Sequence, residues 1–311
     1  MNDKEAPLSN PIISNNPYFK TGQQRPNQAP QAYQQGYGQQ PNQQGYGYPD
    51  QQYQGQQYGS YPEQSRQGAF QPSAQGSPFG ADDGRMTYQD ALNKIGILLG
   101  LAIISGVATA ILVPPALWMP VAIGTVIAAF VVGMILAFQR MVKPGLAIAY
   151  SVLEGIALGA ITAAFEQIIP GIAVQTVMAT AIIVGVTYAL HYSGAVRTSS
   201  KGRKIVLTVM LGYLIFSLAN LVLMLFGVFD NQAWGMRGYE IAGIPLGVVL
   251  GAVMILVAAY MLIADFEDIN IAIENGAPKE FSWTTGIAIV MTILWIYIEV
   301  LRIIAILNSR N

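Results

Sequence analysis

The 311-residue sequence contains no cysteine, a single histidine and only 11% charged residues. Without cysteine there are no disulfides, thiol nucleophiles or zinc–thiolate sites. With His191 alone, the paired-histidine motif of metalloproteases cannot be assembled. Charge falls well below the roughly 25% of an ordinary soluble domain. A net charge of −1, with no basic stretch interleaved with aromatics, argues against a protein that binds nucleic acid by neutralising phosphates. No glycine-rich loop ending in GK[ST] occurs, which argues against ATP-driven transport. His191 stands beside Tyr192 and Ser193 without a nucleophile-elbow pattern. The expectation is a protein that is not an enzyme and carries no cofactor.

What is present divides near Arg85. Residues 1 to 84 hold 19 Gln, 8 of the 16 Tyr and 10 of the 17 Pro. From Tyr18 to Phe79 there is too little aliphatic surface to offset chain entropy, so residues 1–84 are read as a disordered cytoplasmic tail. Its polar and aromatic alternation allows weak self-association, and a solvated tether is the plainer alternative. Asp3, Lys4 and Glu5 are followed by no apolar core, so no cleaved signal peptide is expected and the first membrane span directs insertion.

Residues 85–311 form the second domain. Crossing a hydrocarbon core as a helix takes about 20 apolar residues, and seven such runs follow in series. They are Ile95 to Val113, Met119 to Phe138, Gly145 to Phe165, Ile172 to Tyr192, Ile205 to Val228, Gly243 to Ala264 and Trp283 to Leu307. The fold class read from this is an all-α polytopic membrane protein, a seven-transmembrane-helix bundle behind a disordered tail. The tight junction at Pro170-Gly171 leaves a re-entrant third and fourth pair as the competing arrangement.

Orientation follows the distribution of Lys and Arg. With the N-terminus inside, the cytoplasmic segments collect Arg85, Lys94, Arg140, Lys143, Arg197, Lys201, Arg203, Lys204 and Lys279, and the outside only Arg237 and Arg310. Trp118, Trp234 and Trp283 fall at span ends, where interfacial anchors are expected. Close helix contact in lipid needs small residues. The pairs Gly96/Gly100 and Gly155/Gly159, and the series Gly243, Gly247, Gly251, are read as packing faces within the bundle.

An ionisable group kept in a bilayer is costly and is by default a functional candidate. Glu154 lies near the centre of the third span in YSVLEGIALG. It is either a hydrogen-bonded neutral acid or a functional group. Asp265 closes the sixth span in MLIADFEDIN, and Glu267 and Asp268 beyond it are read as a solvated acidic helix end. Glu299 lies past the middle of the seventh span in WIYIEVLRII, with Arg302 one turn on. Glu299 and Arg302 are either a plain i to i+3 ion pair or part of a working site. If the last two spans pack together, Asp265 and Glu299 approach across a polar cavity. They then form a coupled, pH-sensing acid pair that offers oxygens to a hard cation such as Ca²⁺ when ionised. Arg140, at the end of the second span, is a candidate counter-charge.

The segments LIADFEDI, ENGAPKEFSW, TILWIYIEVLRIIAIL and ILAFQRMVKPGLAIAYSVLEGIALGAI together resemble the Bax inhibitor-1 (transmembrane Bax inhibitor motif) family, more closely its bacterial branch, over roughly residues 86 to 307. The resemblance implies two three-helix layers wrapped around a central last helix in the bacterial plasma membrane. It also implies a pH-sensitive Ca²⁺ leak governed by acids on the sixth and seventh helices. Position by position it implies Asp265 and Glu299 as that pair, with Arg140 as the arginine after the second helix. Glu299 stands where the better-understood members carry an aspartate in a context like LYLD.

Two further functional classes compete with the leak. One is a non-catalytic regulatory protein that binds a membrane protease or other membrane complex. The other is an intramembrane aspartyl protease using the same acids, disfavoured because no GxGD-like context surrounds Asp265.

Overall fold

The computed structural model describes residues 84–229 and 234–309. The reading of residues 1–84 as a disordered tail therefore lies, but for Gly84, outside the described residues, as does Arg310. Among the described residues, seven helices long and apolar enough to cross a membrane follow one another: α1 Tyr88–Leu112, α2 Trp118–Ala137, α3 Pro144–Ile168, α4 Ile172–Tyr192, α5 Ser200–Leu225, α6 Leu246–Glu274 and α7 Ser282–Asn308.

Local chemistry sets the helix ends. Thr87 and Asp90 form a reciprocal capping box at the start of α1. Pro114 and Pro115 stop that helix, and Trp118 Nε1 donates back to the Val113 carbonyl at 2.9 Å. Trp118 is buried against Ala160 and Ala163 of α3, so it is a packing residue more than an interfacial anchor. Pro144 stands in the first turn of α3, where its missing N–H is not needed. At the α3–α4 junction Gly171 takes a left-handed φ of 87°. There Glu166 reaches over from α3 to accept from the amides of Gly171 at 2.6 Å and Ala173 at 2.9 Å. That turn lets α3 and α4 be separate helices of 25 and 21 residues, each long enough to span, in place of a re-entrant pair.

The largest departure from the sequence reading is at α6. The helix does not end near Ala264 but continues ten residues to Glu274, so Asp265, Glu267 and Asp268 are helical. At its other end Gly243 lies in a short turn between strands β1 Glu240–Ile241 and β2 Ile244–Pro245, with φ of 80°, and is not part of the span.

The glycine faces divide accordingly. Gly155 and Gly159 of α3 press on Ala102, Ser105 and Gly106 of α1, where a Cβ would collide with backbone. Gly247 and Gly251 admit Ile306 and Ile303 of α7. Gly96 and Gly100 face open space, so that motif is not a contact. The α1 partner of the α3 glycines is Gly106, one helical stretch further on.

Helices α1 and α2 pack on α3, α4 and α5 pack on α6, and α7 touches α1, α3, α4 and α6 between these two sets. More than half of the apolar stretch of α7 is buried, and little of α5. The last helix is the core, and the exposed apolar faces of α1, α2, α4 and α5, such as Ile104, Phe130, Ile182 and Leu214, suit lipid contact. At one end of the bundle Met86 donates to the Ala277 carbonyl at 2.8 Å, and Val142 donates to Thr284 Oγ1 at 3.0 Å. These bonds hold the start of α1 and the α2–α3 turn against the α6–α7 connection.

Candidate functional site

The packing of α6 on α7 brings the two principal acids inside the bundle, each 1% exposed. Asp265 Oδ2 accepts from Thr292 Oγ1 at 2.7 Å. Glu299 collects more donors: Tyr213 of α5 at 2.9 Å, Trp295 Nε1 at 3.2 Å and Arg302 Nη1 at 2.7 Å. Thr292 and Glu299 are two helical turns apart on α7, about 10 Å of rise, so the two acids are held at successive levels of one helix. Among the sequence candidates, Glu299 and Arg302 are in direct contact. Arg140 is exposed on the α2–α3 turn, level with Thr284, which precedes Thr292 by about 12 Å of helix. Glu154 is half-buried in the middle of α3.

Tyr213 and Arg237 belong to the Glu299 cluster and were not singled out in the sequence. Arg302 Nη1 lies 2.5 Å from Tyr213 Oη, and Arg237 donates to Ser217 Oγ at 2.7 Å and to Tyr213 Oη at 3.4 Å. The Arg237 guanidinium also lies over the Tyr213 and Phe216 rings, 5.5 Å from each centroid. One phenol thus receives two cations on its lone pairs while its proton points at the carboxylate. Counted by sequence as a loop charge, Arg237 is in fact folded inward on a short 3₁₀ turn, Gly235–Gly238. A tyrosine inside an apolar span was the available signal, because a buried phenol O–H normally has a partner.

Glu267 and Asp268 are not a solvated helix end. Arg203 of α5 donates to Asp268 Oδ1 at 2.7 Å and to Glu267 Oε2 at 3.1 Å. Thr198 also donates to Glu267, through its amide at 2.8 Å and through its hydroxyl. Asp268 is fully buried and Arg203 is 7% exposed. The physical reason is the extra length of α6: once the helix continues, Asp265 and Asp268 lie three residues apart, on one inward face. The apolar spacing of Phe266, Ile269 and Ile273 after Asp265 carried that continuation.

A cavity of about 410 Å³ opens between α2 and α5, floored by α7. Glu154, Thr292 and Trp295 all line it, so the donors that hold Asp265 and Glu299 form part of its wall. A second cavity of about 620 Å³ lies at the end of the bundle that carries the α4–α5 connection, beside His191, Arg197 and Glu267. Among the described residues no three His, Cys, Asp or Glu side chains converge to hold a metal.

A family model described as Bax inhibitor 1 like matches residues 10–309. No curated protein and no solved structure matches the chain. The matched stretch starts well before residue 86, so it takes in most of the Gln- and Tyr-rich segment that the motif resemblance left aside.

Proposed function

The chain belongs to the Bax inhibitor 1 like family, and from that premise we propose that it is a non-enzymatic leak for cations, Ca²⁺ foremost, under proton control. Its place is the bacterial plasma membrane with the N-terminus cytoplasmic, the orientation favoured by the Lys and Arg distribution. The observation that carries this reading is the burial of Asp265 and Glu299 on packed helices, each held by a donor whose side chain lines one cavity. Buried carboxylates are costly in a membrane and are retained where protons or ions pass.

In this mechanism the ionised acids supply oxygen ligands to a hard cation in transit. Glu299 exchanges its bond to Arg302 for the ion, and Tyr213 and Trp295 keep the carboxylate in place. Asp265 is presented by Thr292 two turns nearer the cytoplasmic end. Protonation removes the negative charge and the ligand, so flux falls on acidification. Arg140, on the cytoplasmic α2–α3 turn, acts as the counter-charge at that mouth. The test is Ca²⁺ entry into dye-loaded proteoliposomes over a pH series. Wild type is expected to leak with a pH dependence that Asp265→Asn and Glu299→Gln each reduce or remove. Unchanged flux and unchanged pH dependence in both variants would rule out Asp265 and Glu299 as the controlling acids.

A further inference from the structure

The 410 Å³ cavity, whose wall includes the Thr292 and Trp295 donors of the proposed leak, also carries an acid to which that reading gives no role. Asp265 and Glu299 do not line it. Its acid is Glu154, half-buried, for which no hydrogen bond or ion pair occurs among the described residues. Tyr150, one turn earlier on α3, lines the same wall. Its ring lies against α2 at Gly133, where even a methyl group would sit 3.3 Å from it. Phe130 and Trp295 supply two more aromatic surfaces, and four methionines, one each from α2, α5, α6 and α7, line it beside small aliphatic residues and Thr292.

We propose that this cavity is a binding site for a lipophilic organic monocation, with Glu154 as its counter-charge. The proposal shares Thr292 and Trp295 with the leak reading but rests on Glu154 and the aromatic and thioether lining, and its readout is binding, separate from flux. A lone carboxylate facing an apolar chamber is costly until a cation reaches it. A hard inorganic cation is a poor match, because it needs six or more oxygen ligands, and beside Glu154 the wall offers mainly rings and thioethers. The same rings suit a soft cation, through the attraction of a delocalised positive charge to aromatic faces. Methionines from four helices add an adaptable, polarisable lining. The volume falls in the range of small-molecule pockets, about 300–1,000 Å³. An acyl chain from the bilayer would fill the same space but would be indifferent to Glu154, and that difference separates the two occupants.

The experiment uses the full chain in lipid nanodiscs with tetraphenylphosphonium as the probe, measured by equilibrium dialysis against empty nanodiscs. Saturable binding to wild type is expected. Glu154→Gln should weaken it at least about tenfold, the equivalent of one lost charge-assisted contact. Val126→Trp, a filling change at an exposed position on the α2 lip, should weaken it comparably with Glu154 intact. Neutral triphenylphosphine oxide should fail to displace the cation. The proposal is overturned by absence of saturable binding to wild type, by equal affinity in Glu154→Gln, or by equally effective displacement with the neutral probe. Should Glu154→Gln not fold, Val126→Trp and the neutral competitor still decide between the occupants.

Discussion

Arg203 and Arg302 each donate to a buried carboxylate at 2.7 Å, yet the two pairs are built differently. Arg203 reaches from α5 to α6 and binds both Asp268 and Glu267, joining two helices 65 residues apart in sequence. Arg302 reaches one turn back along its own helix to Glu299, and 22% of its side chain is exposed. The first pair ties α5, the least buried helix, to the bundle. The second adds nothing between helices by itself, and only Tyr213 carries its effect across to α5. An ion pair that joins helices is suited to holding the fold, whereas one within a helix is free to open without taking the fold apart.

Breaking the α5–α6 tie should have the largest effect. Arg203→Ala strands Asp268, fully buried, whose Oδ2 already has no hydrogen-bond partner among the described residues. Losing one partner of such a pair costs on the order of 3 kcal/mol or more. Thermal unfolding in detergent should show a large drop, and a change within error would contradict the structural role. Arg302→Met should cost less stability, about 1–2 kcal/mol, because Tyr213 and Trp295 still donate to Glu299. Its signature should be a changed pH profile of Ca²⁺ flux, which a purely structural arginine would leave in place. Tyr213→Phe removes one shared hydroxyl and should cost about 1 kcal/mol, with a shift in the flux profile in the same sense as Arg302→Met. Opposite shifts would separate Tyr213 from the Arg302–Glu299 pair. Glu267→Gln should be the mildest, within about 1 kcal/mol, since that side chain is 21% exposed and its remaining amide oxygen can still accept from the Thr198 amide.

The sequence carried the number of spans and the boundaries of α4 to the residue, because apolar runs bounded by Pro, Gly and polar clusters leave few alternatives in a bilayer. It misplaced the end of α6 because hydropathy counts Asp265, Glu267 and Asp268 against a span, while Arg203, 65 positions from Asp268, offsets that charge only after folding. The same long-range logic hid the inward turn of Arg237. Gly96 and Gly155 show the limit of a short motif: both begin a GxxxG, but only Gly155 has a neighbouring backbone against it. Glu299 with Arg302 was legible because i to i+3 spacing is local. The donors Tyr213 and Thr292 were not, since which faces of α5, α6 and α7 meet is decided by packing.

Under the proposed leak, Glu299 is an ion ligand and not only the partner of Arg302. The most direct test of that role is Ca²⁺ flux through purified Glu299→Gln in proteoliposomes, measured across pH beside wild type, with thermal stability recorded on the same preparations. The expected result is a folded protein, within about 2 kcal/mol of wild type, whose flux is reduced and no longer follows pH. A folded Glu299→Gln protein with wild-type flux and a wild-type pH profile would contradict it.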